Sequence, residues 1–160
     1  MTVSIRPATP ADVPTMLRFV RELATYEREP DAVLATEPMM AEALFGSDPA
    51  AAALIAERDG EAIGFALYFF TYSTWTGRRG LWLEDLYVTT EARGSGAGAA
   101  LLRALAGVAL DRDCARFEWT VLDWNTPAID FYRAKGAAPL DQWTTQRVEG
   151  EALVRLAGRG

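Results

Sequence analysis

Two acids, Glu84 and Asp85, interrupt the apolar run from Leu81 to Val88, and shortly after it the chain turns through Arg93-Gly94-Ser95-Gly96-Ala97-Gly98 into an Ala- and Leu-rich stretch beginning at Ala99. Glycines at alternate positions let backbone N–H groups turn toward one concavity, and at the start of a helix the aligned peptide dipoles favour an anion there. With Arg93 alongside, the turn suits a phosphate or pyrophosphate. A carboxylate on a strand is costly to bury without a partner, so Glu84, close to that turn, is a candidate general base or holder of a cation. In a regular strand neighbouring side chains point to opposite faces, and at most one of Glu84 and Asp85 is expected to serve a given cleft. Plain structural roles compete: the glycines can simply close a strand-to-helix turn, and an acid can be solvated or salt-bridged.

The residue types that are missing narrow the chemistry. There is no histidine among the 160 residues, which excludes Ser-His-Asp and Cys-His nucleophiles and imidazole-held metals. A reaction here runs on carboxylates, tyrosine, backbone groups or a cofactor, and no metal is expected. Cys114 is the single cysteine, and the chain starts Met-Thr-Val-Ser-Ile-Arg rather than with a basic segment leading into an apolar one, so a cytoplasmic location is expected. With 16 Lys+Arg against 22 Asp+Glu the formal net charge is −6; such a field repels nucleic acid and anionic membranes and favours a cationic partner. The longest apolar run, Ala62 to Tyr72, falls short of the ~20 residues that span a bilayer.

Other residues carry weaker signals. Tyr132 can act as an acid or fill the core beside Phe131. The five tryptophans, among them Trp75, would suit a cleft for an alkylammonium ion, although most have structural roles to fill. Gly94-Ser95-Gly96-Ala97-Gly98-Ala99 also satisfies a G-x-G-x-x-A dinucleotide fingerprint, with Asp111 and Asp113 near the expected ribose spacing. Against that, the unit comes late in a short chain and leaves too little sequence for a full doubly wound sheet.

These groups need a scaffold. Alternation at Val3 and Ile5 indicates a strand; Thr9-Pro10 opens a helix whose apolar face runs through Val13, Met16, Leu17, Val20 and Leu23 to an end near Glu27. Thr36-Glu37-Pro38 opens a second helix. Ala53 to Ala56 and Ala62 to Tyr72 form a hairpin about Asp59-Gly60. Strand 81–88, the glycine turn, helix 99–110 and strand 115–122 make a βαβ unit with parallel neighbours. Asn125-Thr126-Pro127 caps a helix that stops at Gly136, and a last strand or two is expected over Gln142 to Leu156. The class is mixed α/β, one domain over 1–160, with no linker or repeat.

In this order the pieces resemble the GNAT superfamily of acyl-CoA-dependent N-acetyltransferases, whose cofactor signature, Arg/Gln-x-x-Gly-x-Gly/Ala after a central strand, stands here as Arg93 to Gly98. Ile5-Arg6-Pro7-Ala8-Thr9, Glu22-Leu23-Ala24, Leu83-Glu84-Asp85 and Val121-Leu122-Asp123-Trp124-Asn125 look like its diamine (spermidine/spermine) acetyltransferase group, over nearly the whole chain. Polyamine-acetylating members typically carry Asp where this chain has Ser73; Ser73-Thr74-Trp75 resembles the thialysine Nε-acetyltransferase branch. The resemblance implies a central, mostly antiparallel sheet with one parallel strand pair splayed around acetyl-CoA and flanking helices.

It also implies roles. Backbone at Leu86, Tyr87 and Val88 would hold the pantetheine arm and acetyl carbonyl; Arg93, Gly94, Ser95, Gly96, Ala97, Gly98 and Ala99 the pyrophosphate; Asn125, Pro127 and Ala128 further coenzyme contacts. Tyr132 matches the tyrosine beside the thioester sulfur, a general acid, and Glu84 becomes the proton acceptor for a protonated amine. Tyr26, Glu27, Trp75, Glu84 and Asp85 would meet a small cationic amine: thialysine, a lysine-like amine, a diamine or a polyamine. The segment between Leu140 and Trp143 is shorter than in the animal enzymes, where a further acid contributes. The resemblance implies transfer by direct attack in a ternary complex and a homodimer with substrate sites near its interface. An acetyl-CoA sensor without turnover and a dinucleotide-binding oxidoreductase are the alternatives.

Overall fold

The alternating start of the chain forms strand β1 (Ser4–Pro7), and the Thr9-Pro10 signal becomes a 3-10 turn, Pro10–Asp12, running directly into helix α1 (Val13–Tyr26), in a computed structural model that describes residues 2–160. The junction is fastened by Asp12, whose carboxylate accepts from Arg6 Nη1 and Nη2 at 2.7 and 2.8 Å and from the Thr9 N–H at 2.7 Å. Helix α1 buries Val13, Met16, Leu17 and Phe19, as its apolar spacing requires. Phe19 packs 5.8 Å from the Phe65 ring and 5.5 Å from Tyr87, which fixes α1 against one face of the sheet. Helix α2 (Glu37–Phe45) begins where Thr36 accepts from the Met39 N–H, and adds Met40 and Leu44 to the same core.

The hairpin forms as the sequence predicts. Strands β2 (Ala52–Arg58) and β3 (Glu61–Ser73) are joined by Asp59 and Gly60, both at positive φ (53° and 80°), the backbone a tight two-residue turn demands. Strand β4 (Arg78–Val88) lies antiparallel to β3; helix α3 (Ala97–Asp111) then crosses over to strand β5 (Arg116–Glu118), parallel to β4. The five strands are ordered β1-β2-β3-β4-β5. Leu101, Leu102, Leu105 and Ala109 form the buried face of α3. The sheet is mostly antiparallel with one parallel pair, but β5 is shorter than the expected 115–122. Among the described residues no helix is long and apolar enough to cross a membrane.

The chain divides into a unit ending at Leu122 and a second, Asp123–Gly160. The second begins with helix α4 (Thr126–Ala134), capped by Asn125, whose side-chain oxygen accepts from the Ala128 N–H, and closed by Gly136 at φ 94°. The strand expected over Gln142 to Leu156 does not form; helix α5 (Gly150–Leu156) occupies its end. A strand must find its hydrogen bonds on a neighbour, whereas a helix satisfies its own, and Glu151 and Arg155 add an i,i+4 ion pair at 3.7 Å.

Candidate acetyl-transfer site

A break in register creates the acidic part of the site. Along β4, Asp85 pairs with Leu67 while Leu83 pairs with Tyr68, so Glu84 is the extra residue of a β-bulge. The bulge suspends the alternation of a regular strand, so the period of two on which opposite faces were expected for the two acids does not run through Glu84. Trp82 Nε1 donates to Glu84 Oε2 at 3.1 Å, and Glu84 is exposed. Asp85 is half-buried, and its carboxyl is pushed from the ordinary 3.8 up to about 6, by burial first and then by the negative charges of Glu84 and Glu27. Glu27 follows the last residue of α1, and burial raises its own proton affinity. Three carboxylates from two elements thus share one neighbourhood with no cation among the causes of Asp85's shift. An ammonium group placed there would offset the like charge around Asp85.

The opposite edge of β4 is paired over only part of its length. Its ladder with β5 spans only Gly80–Trp82 against Arg116–Glu118. Leu86, Tyr87 and Val88, on the far side of the bulge, therefore lie past the end of the parallel pairing. Beyond them the short 3-10 turn Thr90–Ala92 leads to Arg93 and the glycine turn. Gly94 and Gly96 stand at φ 80° and 86°, a region costly for other residues, and a Cβ added at either would meet nothing within 4 Å. Ser95 Oγ accepts from the Ala97 N–H at 3.3 Å, and α3 starts at Ala97, so the unpaired N–H groups of a helix's first turn open onto this concavity. Open space, left-handed glycines and a helix N-terminus are what a pyrophosphate requires, and residues 93–99 fit coenzyme A.

One cavity of about 460 Å³ lies between α1 and the β4–α3 connection, with Arg18, Glu22, Tyr26, Tyr87, Glu91 and Arg93 in its wall. Tyr87 Oη donates to Glu22 Oε2 at 2.7 Å, and its proton is held up to about 12 by burial and then by that bond. Arg93 stacks on Tyr26, its guanidinium carbon 5.0 Å from the ring centroid. Arg18 and Glu22 were not among the sequence candidates. The signal for them was present, since polar residues at 18, 22, 25 and 26 share a helical face, but a polar helix face is ordinarily just solvated.

Within the first unit, Trp75 is not brought to this cluster. Trp75 sits at the β3–β4 hairpin tip, 79% exposed. The strand from Arg78 to Glu84 puts it on the order of 20 Å away within one chain at about 3.3 Å per residue. Asn125, Pro127, Ala128 and Tyr132 belong to the second unit. There Asn125 is buried as the cap of α4, and Tyr132 is half-buried near the helix's end, its ring 5.5 Å from Phe131.

Comparison with known proteins agrees with this architecture. The sequence profile of the Acetyltransferase (GNAT) family matches residues 17–137. The chain is 43% identical to a thialysine N-epsilon-acetyltransferase of Sus scrofa, covering 99% of both chains. It is 36% identical to a human spermidine/spermine N(1)-acetyltransferase-like protein 1, covering 96% of this chain and 23% of that longer one. An integron cassette protein from the V. cholerae mobile metagenome has the same fold, with a TM-score of 0.81, 28% identity and 98% coverage of each chain. Bulged strand, short parallel pair, glycine turn and sequence kinship lead to one assignment: the chain belongs to the GNAT family of acetyltransferases, enzymes that take acetyl-CoA as their acetyl donor.

Proposed function

We propose that this enzyme acetylates the side-chain primary amine of a small cationic substrate, with thialysine and lysine-like amino acids preferred over polyamines. The observation that carries the reading is the unneutralised cluster of Glu27, Glu84 and Asp85 beside a cradle that fits coenzyme A. The preference rests on Ser73, at the end of β3, and on kinship to a thialysine acetyltransferase. Residues 1–160 act as one catalytic domain, in the cytoplasm.

Acetyl-CoA, when bound, supplies a thioester as the acetyl source. The chain's part is to bind and deprotonate the amine and to position both partners in a ternary complex. An amine of pKa near 10 arrives protonated at neutral pH and must lose a proton before its nitrogen can attack. The carboxylates first hold the ammonium by charge. Glu84, exposed at the bulge, then takes the proton directly or through water, and Asp85, poised near neutrality, shares it. The Leu86 main-chain N–H is the donor for the acetyl carbonyl oxygen, and Tyr132 the proton source for the departing sulfur. Trp75 lies far from the acids of its own chain, so in a homodimer it would be contributed by the second copy.

A thiol-release assay with acetyl-CoA against thialysine, lysine, ornithine, putrescine and spermidine, with products identified by mass, tests this reading. Higher kcat/KM for thialysine or lysine than for spermidine is expected. A clear spermidine preference reverses the substrate assignment, and silence across the panel with coenzyme A still bound returns the sensor alternative. Tyr132→Phe is expected to lower kcat with little change in acetyl-CoA affinity, and turnover like that of the unsubstituted enzyme removes the tyrosine as acid.

A further inference from the structure

Arg93 serves two neighbourhoods at once. It opens the glycine turn that fits the coenzyme pyrophosphate, and its guanidinium carbon stands 5.0 Å from the centre of the Tyr26 ring in the last turn of α1. A guanidinium stacks through its flat face while its N–H donors lie in the plane, so stacking on Tyr26 and donating to a phosphate are compatible. The contact belongs to a wider tie between the same two segments. Arg18 reaches Glu22 at 3.1 Å, and Glu22 accepts from Tyr87 Oη at 2.7 Å. One face of α1 is thereby bound by side chains to the strand and turn that meet the cofactor.

The α1 end of this tie is closed by its own backbone: the Glu27 N–H reaches the Leu23 carbonyl at 2.9 Å, the Arg28 N–H the Thr25 carbonyl at 3.1 Å and the Glu29 N–H the Ala24 carbonyl at 2.8 Å, with Arg28 at φ 66° in the left-handed turn that ends many helices. Helix ends are nevertheless where local opening begins, and a side-chain contact to another element adds to their order. The Tyr26–Arg93 stack is such a contact, and the residue beside it is Glu27, whose charge reaches Asp85.

We propose that Arg93 and Tyr26 form a positioning pair that couples occupancy of the pyrophosphate turn to order at the C-terminal end of α1, where Glu27 meets the amine. The proposal rests on the reading of Glu27 as part of the amine site. Phosphate charge fixes the guanidinium, the fixed guanidinium fixes the tyrosine ring, and the ring restrains Glu27 one residue on. By linkage the effect is reciprocal: coenzyme raises amine affinity as much as amine raises coenzyme affinity.

Amide hydrogen exchange over Thr25 to Glu29, with and without saturating coenzyme A, reads the coupling without any amine. Exchange there is expected to slow by about fivefold or more, the lower end of ordinary coupling. Tyr26→Phe keeps the ring and should keep the slowing. Tyr26→Leu, measured at coenzyme A concentrations that calorimetry shows to be saturating for it, should lose it, and Arg93→Lys, which keeps charge but lacks the flat face, should lose it at saturating coenzyme as well. No slowing in the unsubstituted enzyme, or full slowing in Tyr26→Leu, overturns the pair. Amine binding separates the two ideas. Coenzyme-dependent slowing that Tyr26→Leu abolishes, in a protein that binds no amine, keeps the pair and defeats the amine-site reading. Amines bound equally well with and without coenzyme A defeat the pair and keep that reading.

Discussion

Asp12 and Asp85 are aspartates at two junctions of helix α1, and the fold drives them in opposite directions. Asp12, at the start of the helix, accepts two hydrogen bonds from the Arg6 guanidinium, and that contact pulls its carboxyl from 3.8 down to about 2 against the opposing cost of burial. Asp85, across from the helix's end, has burial and two like charges and rises to about 6. The first environment supplies the cation that a buried carboxylate needs; the second withholds it. A carboxylate left in the second state is destabilised until something positive arrives, which fits the place proposed for Asp85 in the amine site and sets it apart from Asp12.

The largest expected effect is on activity. Asp85→Asn is expected to lower kcat/KM for a lysine-like amine by ~100-fold or more, the range of a lost acid-base or charge-holding group. It should also remove a limb near pH 6, above which the carboxyl of the unsubstituted enzyme is ionised and, on the proposed function, able to hold the ammonium. The same substitution should raise stability, because asparagine carries no charge to desolvate. A pH–rate profile that keeps its limb near 6 in Asp85→Asn would take that titration away from Asp85.

Stability against pH sharpens the contrast, with the two residues obeying opposite signs. Asp12 is more acidic folded than unfolded, so its contribution is present above about pH 4 and is lost as pH falls toward 2; the shift corresponds to ~2 kcal/mol. Asp12→Ala should therefore cost about 2 kcal/mol at pH 7, read from urea midpoints, while kcat/KM per folded molecule stays unchanged. Asp85 binds its proton more tightly when folded, so the unsubstituted protein loses stability as pH rises from about 4 to 6 and the loss stays level above that. Asp85→Asn should thus match the parent near pH 4 and exceed it by ~3 kcal/mol at pH 7.5, an order-of-magnitude figure. If it is instead less stable at pH 7.5, Asp85 is a structural residue like Asp12 and the comparison collapses.

Much of this was legible in the sequence, and the exceptions have physical causes. Local signals carried the hairpin at Asp59-Gly60, the caps at Thr36 and Asn125, and the glycine turn before α3, because each depends on residues only a few positions apart. The β-bulge at Glu84 was illegible: alternation assigned Glu84 and Asp85 to opposite faces, and only the pairing with Leu67 and Tyr68 on another strand shows the extra residue. The helix at Gly150–Leu156 was missed because Ala152 to Leu156 is short and mostly apolar, a pattern that strand and helix share; the exposed Glu151–Arg155 pair is compatible with the helix. In the site, the glycines and acids were visible as types. The Arg93–Tyr26 stack and the Tyr87–Glu22 bond join residues 67 and 65 positions apart and leave no local trace.

The smallest expected effect tests whether Arg6 favours one acid over the other. Arg6 Nε also donates to Glu57 Oε1 at 2.7 Å, so the guanidinium bridges β2 to the start of α1 with two carboxylates in reach. Asp12 contributes most to holding the Arg6 proton, Glu57 less, and the side chain of Glu57 is the more exposed, 24% against 12%. Glu57→Gln keeps an oxygen that can accept from Nε and removes only charge, so ~0.5 kcal/mol or less is expected, in line with partly exposed pairs. Asp12→Asn leaves Arg6 with a neutral oxygen and an amide turned toward its own donors, and should cost several times more. Equal losses in the two variants would mean that Arg6 is held by summed charge, and that Asp12 owes its low proton affinity to no special geometry at the helix start.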